Sequence, residues 1–392
     1  MLPPDPVSLY NKRMYFVHPQ IKLNGKNFLK IFSCFFRKPD LKNKLSFYFP
    51  KKQIVFTDMG RTAFKIIIEK LNLENSEMLV PAYICDIFYP IFKKYNISPI
   101  FLDIEPFSFN IKIEEIERKI TPKTKSILIS HTYGLANNME KILFLAKKYN
   151  LKVIEDCSHS FLGKYKEKYL GNFGDVSFIS LYKQFPTLRG GMLICPLDWE
   201  IDLEKTFFSF RDFISFLNCF SFFANFFKKY GGEIAYKMLK KEKKERFSEI
   251  NNVSSNLFST FLENFEKNLT KRIELALFFQ EELKKLNFEV QEEKNNVFCY
   301  LSVLAPKKLN RDNFVKLLRK DKIFATRIWH TPIILNPEVQ KEYKINLSEY
   351  PQTIELAKRI VNFPLQNFYS KKDIEKLIKK IKNTIDKSFL IC

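Results

Sequence analysis

The chain has 392 residues, of which 46% are hydrophobic and 16% aromatic, and a formal net charge of +22. That is too long for one simple core and too apolar for a disordered segment, so a large and a small domain are expected. The basic balance would suit nucleic acid or an anionic surface, but lysine is spread over the whole length, and the densest cluster, Lys237 to Arg246, is interrupted by glutamates; a solvated lysine-rich surface is preferred and no nucleic-acid partner is expected. Seven cysteines, an odd number with no CxxC pair, argue against a zinc site or a disulfide framework and for reduced thiols in a cytoplasmic protein. No metal is expected. The first residues lack the charged start and apolar run of a signal peptide. The charge-free run Phe213 to Phe227 has 15 residues, short for a membrane span.

In chain order, residues 1–50 show no clear period and read as an N-terminal arm or edge element. From residue 51 short apolar runs alternate with segments of helical period. Strands are expected at Ile54–Phe56, Met78–Val80, Pro99–Ile104, Ser126–Ser130, Lys152–Glu155, Val176–Leu181 and Met192–Cys195, with helices between them such as Ala63–Leu71 and Asn138–Lys148. This alternation predicts an α/β large domain over 51–265, with a mainly parallel sheet covered on both faces. Residues 266–392 change character: a long helix Lys271–Leu286, short strands near Val297–Val303 and a last helix Lys371–Ile385 predict a smaller α+β domain. The stretch 207–246 breaks the pattern as an insertion, with ten phenylalanines between residues 207 and 227. With a second Phe-rich basic patch at Phe28–Arg37, it reads either as a peripheral membrane contact through 207–230, at the inner face, or as an insertion packed on the body or on a partner subunit. The second is preferred.

Only ten glycines occur, and six fall between Gly134 and Gly191, where they serve as turn punctuation or mark close approach of backbone to a ligand. Ligands of open α/β sheets bind beyond the carboxyl ends of the strands, and three of those ends carry chemistry. Asp58-Met59-Gly60-Arg61-Thr62 leads from a strand into a helix, so free amides and the Thr62 hydroxyl make a phosphate seat. Lys152–Glu155 delivers Glu155 and Asp156, and a buried carboxylate there needs a cation, such as a protonated ring nitrogen. The next strand leads to Lys183; partial desolvation near other cations would lower its pKa and make it a nucleophile towards carbonyls. Singly, each has a plain structural reading, since a lysine after a strand is ordinarily surface. Together they are the three anchors of pyridoxal phosphate (PLP).

At these residues the chain resembles the DegT/DnrJ/EryC1/StrS family of sugar aminotransferases. The resemblance is strong over 54–196 and looser over 250–385. It runs through Met59-Gly60-Arg61-Thr62-Ala63, Leu79-Val80-Pro81-Ala82-Tyr83-Ile84-Cys85, Leu102-Asp103-Ile104-Glu105-Pro106 and Ile120-Thr121-Pro122-Lys123-Thr124-Lys125. It continues with His131-Thr132-Tyr133-Gly134, Ile154-Glu155-Asp156-Cys157-Ser158-His159-Ser160, Gly174-Asp175-Val176, Lys183 with Gly190-Gly191, and Phe363-Pro364. It implies an aspartate-aminotransferase-like fold of type I and a PLP cofactor held covalently by Lys183, which also shuttles the proton. Asp156 is implied as partner of the ring nitrogen and His159 as a neighbour of the ring. Gly60, Arg61 and Thr62 are implied at the phosphate, with Ser180 reaching the same group, and Tyr83 or a neighbour stacking on the ring. It further implies transfer of an amino group, from glutamate, to a keto group of a nucleotide-linked sugar for surface polysaccharide or a related glycan. The working unit it implies is a homodimer with the site at the interface, to which the partner contributes from the stretch containing Asn251 and Asn252.

The sequence departs from the family where Leu188-Arg189-Gly190-Gly191 replaces Gly-Glu-Gly-Gly, and where the asparagine–arginine motif of the partner loop is unrecognisable over 247–256. Both departures bear on sugar binding more than on cofactor chemistry. Arg327-Ile328-Trp329-His330 resembles the family's aromatic–histidine stretch, with a packed Trp and a surface His as the equal alternative. Two rival functions stand beside amino transfer. One is a PLP-dependent sugar dehydratase, in which histidine typically replaces the lysine, so that Lys183 argues against it. The other is a non-catalytic, membrane-recruited regulatory relative, which would have lost one of the anchors.

Overall fold

The computed structural model describes residues 15–21, 30–34, 39–220 and 247–389. Seven strands form one sheet: β1 (Gln53–Thr57), β2 (Glu77–Pro81), β3 (Ser98–Leu102), β4 (Thr124–Ser130), β5 (Lys152–Asp156), β6 (Val176–Ser180) and β7 (Gly191–Cys195), in the order β1-β7-β6-β5-β4-β2-β3. Strands β6, β5, β4, β2 and β3 are mutually parallel, whereas β7 runs antiparallel to both β1 and β6. The inner strands are buried along almost their whole length, as a sheet covered on both faces requires. Two apolar clusters do the covering. One holds Ile127, Met139, Ile142, Ile179 and Ile194. The other holds Phe64, Ile67, Leu128, Ile154 and Leu193.

Helix α1 (Gly60–Lys70) follows β1 and buries Phe64, Ile67 and Ile68; helix α2 (Met139–Lys148) starts on the Asn138 side-chain cap. The C-terminal unit has its own core around Phe279, Phe314, Phe363 and Ile374. It joins α5 (Phe265–Lys284), α6 (Arg311–Lys320) and α7 (Lys371–Phe389) to an antiparallel sheet of β8 (Glu289–Val290), β9 (Leu301–Leu304) and β10 (Ile360–Phe363). The fold is thus the expected α/β architecture, a mainly parallel mixed sheet with a smaller C-terminal α+β unit. The expected strand Val176–Leu181 ends at Ser180 instead, and Leu181–Lys183 form a 3-10 turn. In the arm, Tyr15–Phe16 pairs in parallel with Ile323–Phe324 of the C-terminal unit.

Of the Phe-rich insertion, the described part ends at Phe220. The Ser209 side chain and Asp212 form a capping box that starts α3 (Phe210–Asn218). Cys219 and Phe220 pack on Ile21, Ile31, Cys34, Val253 and Leu257, whereas Phe207 and Phe210 are exposed. Residues 221–246, with the rest of the insertion and the Lys237–Arg246 cluster, lie outside the described residues, as does half of Phe28–Arg37. Among the described residues no helix is long and apolar enough to cross a membrane.

Candidate active site

The carboxyl ends of β1, β5 and β6 lie at one edge of the sheet, and antiparallel β7 begins at that edge, opposite Thr57 of β1 and Ser180 of β6. There they enclose a cavity of about 340 Å³ whose wall includes Gly60, Arg61, Asp156, Ser180 and Lys183. Five of the eight site residues expected from the sequence therefore share one cavity.

The turn entering α1 is built for close approach. Met59 stands at the N-cap and gives no side-chain hydrogen bond, so the helix N-terminus at the cavity is uncapped. A Cβ on Gly60 would lie 2.4 Å from Ser180 Oγ, and one on Gly191 would lie 2.4 Å from the Met59 carbonyl oxygen. Only glycines at both positions let β7 and the Ser180 hydroxyl close on this turn. Arg61, exposed at the rim, adds a cation.

Asp156 is 4% exposed at the end of β5, where its Oδ1 accepts the Ser158 amide at 3.0 Å. Ser158 Oγ accepts the Ser180 amide at 2.9 Å, tying β5 to β6. Lys183 stands on the same wall, with Nζ 5.5 Å from the centre of the Trp329 ring. Burial pulls the Lys183 pKa down, but the Asp156 carboxylate, with smaller effects from Tyr182, Cys85 and Cys299, raises it above the ordinary lysine value. This corrects the expected lowering: the neighbour that matters is an anion. The turn holding Lys183 is braced from behind by Arg272, 5% exposed, which donates to Gln184 Oε1 at 3.0 Å.

Three expected residues are off the wall. Thr62 Oγ1 donates to Asp58 Oδ1 at 2.6 Å, bracing the turn rather than facing the cavity. His159 lies behind Trp329, with ring centroids 4.9 Å apart, and stacks on Tyr133 at 5.6 Å. Its Nδ1 accepts the Tyr133 amide at 3.3 Å, and Nε2 is buried without a partner. Burial, then the charge of Lys183, holds its pKa well below the ordinary histidine value, so the ring is neutral. Tyr83 is fully buried one layer back, its hydroxyl 2.7 Å from that of Tyr133, which donates to the Ile328 carbonyl at 2.6 Å. Its neighbour Cys85 lines the cavity instead.

Trp329 is the wall residue that the sequence left open. Its backbone is left-handed, φ 57°, as is that of Tyr133, also 57°, a conformation that bulky residues adopt at a cost. The Tyr133 hydroxyl on Ile328 and the Asn362 side chain accepting the Ile328 amide at 2.7 Å hold Trp329 there. Arg189 and Asp212 were also missed. They form a mostly buried ion pair on the wall, Nε to Oδ1 2.8 Å and Nη2 to Oδ2 2.9 Å, which fastens α3 to the cavity mouth. The only signal for it was the arginine in place of the family's glutamate. Asn251 caps the helix α4 (Asn252–Leu262) and accepts the Ser254 amide, away from this cavity.

Behind β5, His131, Glu155 and Cys157 bring ligand atoms within 4.8 Å of one another. Glu155 already accepts from the amides of Gly171, Phe173 and Gly174 and from His131, while burial holds the Cys157 thiol well above its usual pKa. Glu155 and His131 are thus closed into a hydrogen-bond network and the thiol beside them stays protonated, so the trio is ill suited to a metal.

A family model, the DegT/DnrJ/EryC1/StrS aminotransferase family, matches residues 40–382. Among curated proteins, the chain is 28% identical over 311 residues to GDP-perosamine synthase of Escherichia coli O157:H7, covering 78% of each chain. It is 27% identical over 352 residues to dTDP-3-amino-3,6-dideoxy-alpha-D-galactopyranose transaminase of Aneurinibacillus thermoaerophilus, 87% of this chain and 88% of that one. Among solved structures, an aminotransferase from Psychrobacter cryohalolentis matches with a TM-score of 0.72 at 16% identity, over 95% of this chain and all of that one. The E. coli GDP-4-keto-6-deoxy-D-mannose-3-dehydratase, with bound hydrated PLP, matches with a TM-score of 0.73 at 17% identity, over 94% of this chain and all of the other. At such identities the structures speak for the fold alone.

Proposed function

The chain belongs to the DegT/DnrJ/EryC1/StrS aminotransferase family, and on that premise we propose that it is a PLP-dependent aminotransferase acting on a nucleotide-linked keto sugar, with glutamate as amino donor, for surface polysaccharide or a related glycan. The observation that carries this reading is one cavity lined by Lys183, the buried Asp156 carboxylate and an uncapped helix terminus closed down by Ser180 and Gly191. These residues fit PLP group by group. The Met59–Arg61 turn and Ser180 would hold the phosphate, Asp156 the protonated ring nitrogen, and Lys183 the aldehyde. When bound, PLP supplies the electron sink for chemistry at the amino-bearing carbon.

The chain's own residues supply the rest. With Asp156 as its counter-ion, Lys183 is held as a cation. A cation that takes up the Asp156 charge removes that support, and burial then favours the neutral amine, which can attack a carbonyl and afterwards carry a proton at Nζ. His159, uncharged, adds no competing cation beside Lys183. Trp329, Phe88 and Phe178 give the cavity an apolar lining that limits water. The same reading takes the working unit as a cytoplasmic homodimer, which light scattering on the purified protein tests.

Purified protein supplied with PLP is expected to turn yellow, and borohydride treatment to leave added mass on Lys183. Glutamate with a GDP- or dTDP-linked 4-keto-6-deoxy sugar is expected to yield 2-oxoglutarate and an amino sugar. A colourless protein that takes up no added PLP would overturn the reading, and loss of water from the sugar without 2-oxoglutarate would replace it by dehydration.

A further inference from the structure

Among the described residues, three cations line the Lys183 cavity: Arg61, Lys183 and Arg189. The proposed function gives work to two of them, Lys183 at the aldehyde and Arg61 beside the phosphate seat. Arg189 is left over. It stands where the family motif has glutamate, so the reversed charge is a feature of this chain. Its guanidinium is half used. Asp212 takes one edge, with Oδ1 2.8 Å from Nε and Oδ2 accepting from Nη2 at 2.9 Å. The other edge is formed by Nη1 and the second Nη2 hydrogen. Nη1 makes no hydrogen bond among the described residues and, unlike Nε, is not shut off from solvent.

Asp212 orients the arginine without cancelling its charge. Oδ2 also accepts the Ser209 amide at 2.9 Å and the Ser209 hydroxyl at 2.7 Å. The carboxylate lies in the first turn of α3, where the helix N-terminus favours a negative charge. A guanidinium gripped on one edge presents the other in a fixed plane, which suits the two oxygens of a carboxylate through parallel N–H···O bonds. The keto end of a sugar offers no such group. An amino donor carries a carboxylate on the very carbon whose amine must reach Lys183, and glutamate carries a second at the end of its side chain. We propose that Arg189 selects the amino donor by taking a donor carboxylate on its open Nη1–Nη2 edge, while Asp212 fixes the opposite edge. The proposal rests on the aminotransferase reading and assigns the donor side of that site.

The test compares PLP-loaded wild type with Arg189→Lys and Arg189→Gln. It reads the spectral change on adding glutamate or alanine, and calorimetric binding of GDP-mannose and of glutarate, a dicarboxylate that has no amine to react. Arg189→Lys keeps a cation opposite Asp212 and loses only the fork, so a folding defect in Arg189→Gln does not decide the outcome. The glutamate concentration for half-maximal change is expected to rise about tenfold in Arg189→Lys and about a hundredfold in Arg189→Gln. Glutarate binding weakens in step, while PLP absorbance and GDP-mannose binding stay as in wild type. A rise for glutamate but not for alanine assigns Arg189 to the side-chain carboxylate; an equal rise for both assigns it to the carboxylate beside the amine. Unchanged responses to glutamate and glutarate in both variants overturn the proposal. So does weakening confined to PLP uptake or to GDP-mannose, which would move Arg189 to a phosphate. If wild type takes up PLP but neither amino acid changes its spectrum, the aminotransferase reading fails, and glutarate binding, kept or lost in the variants, still decides the role of Arg189.

Discussion

Glu155 and Asp156 are consecutive residues of β5, and the pleat turns their side chains to opposite faces of the sheet. Both are acidic and nearly inaccessible to solvent, yet their surroundings differ. Glu155 accepts three backbone amides, at 2.9, 2.8 and 2.6 Å, and pairs with His131 at 3.2 Å. Burial would raise its pKa, but His131 and the Gly174 and Gly171 amides hold it below the ordinary glutamate value. Asp156 has one amide, from Ser158, and shares its cavity with Lys183. A buried charge with its hydrogen-bonding capacity filled is architecture; one left with a lysine and a cavity in front of it can exchange partners. Sequence proximity therefore says little about role.

The sharpest way to widen this contrast is Lys183→Ala. Amino transfer is expected to fall by at least about a thousandfold, with thermal unfolding little changed, as steady-state kinetics and a melting curve would show. Asp156→Asn comes next, with a loss of about a hundredfold or more and weakened PLP uptake. In cofactor-free protein it also lowers the Lys183 pKa, so that pH-dependent labelling by an amine reagent shifts to lower pH. If labelling stays put, Asp156 is not what holds Lys183 protonated.

Glu155→Gln is expected to invert the pattern. Replacing one partner of a filled, buried network costs about 3 kcal/mol, seen as a lower urea midpoint, whereas turnover per folded, PLP-loaded molecule stays within a few-fold. A collapse of turnover at full loading would erase the distinction between the two carboxylates. The smallest effect concerns pH. His159 is neutral when folded and has a lowered pKa, so the unfolded chain binds the extra proton; stability is full above about pH 6.5 and declines as pH falls below it. His159→Gln is expected to flatten that decline by roughly 1–2 kcal/mol between pH 7 and 5.5, measured by urea unfolding at each pH. Glu155, also lowered, adds its own loss in the same direction only below about pH 4.5.

The sheet was legible because its strands are short apolar runs punctuated by helices, and Asp156, Lys183 and Gly60 follow from where strands end, whereas Ser180 came from the family resemblance. Direction was not legible: nothing in Met192–Cys195 says that β7 runs against its neighbours. Tyr83 stands one layer back and Trp329, which the sequence left open, lines the cavity, because the lining depends on which aromatic residue reaches the wall. That was decided by hydrogen bonds between Tyr133, Ile328 and Asn362, residues far apart in sequence. The lowered pKa expected of Lys183 failed because its charged neighbour comes from another strand. Arg272, which braces the lysine's turn from α5, has no local signature.

The reversed strand β7 also sets a timetable. Gln53 pairs with Cys195 and Thr57 with Gly191, so the turn before α1 meets its glycine partner only when the chain has returned from more than a hundred residues away. During synthesis this seat stays open while β2 to β6 are made, and it closes only after β7 has left the ribosome. Such distant pairings form slowly. Cofactor capture by a growing chain would thus mark the completion of the large sheet, and a truncation ahead of residue 191 would leave the helix terminus without the floor that β7 provides.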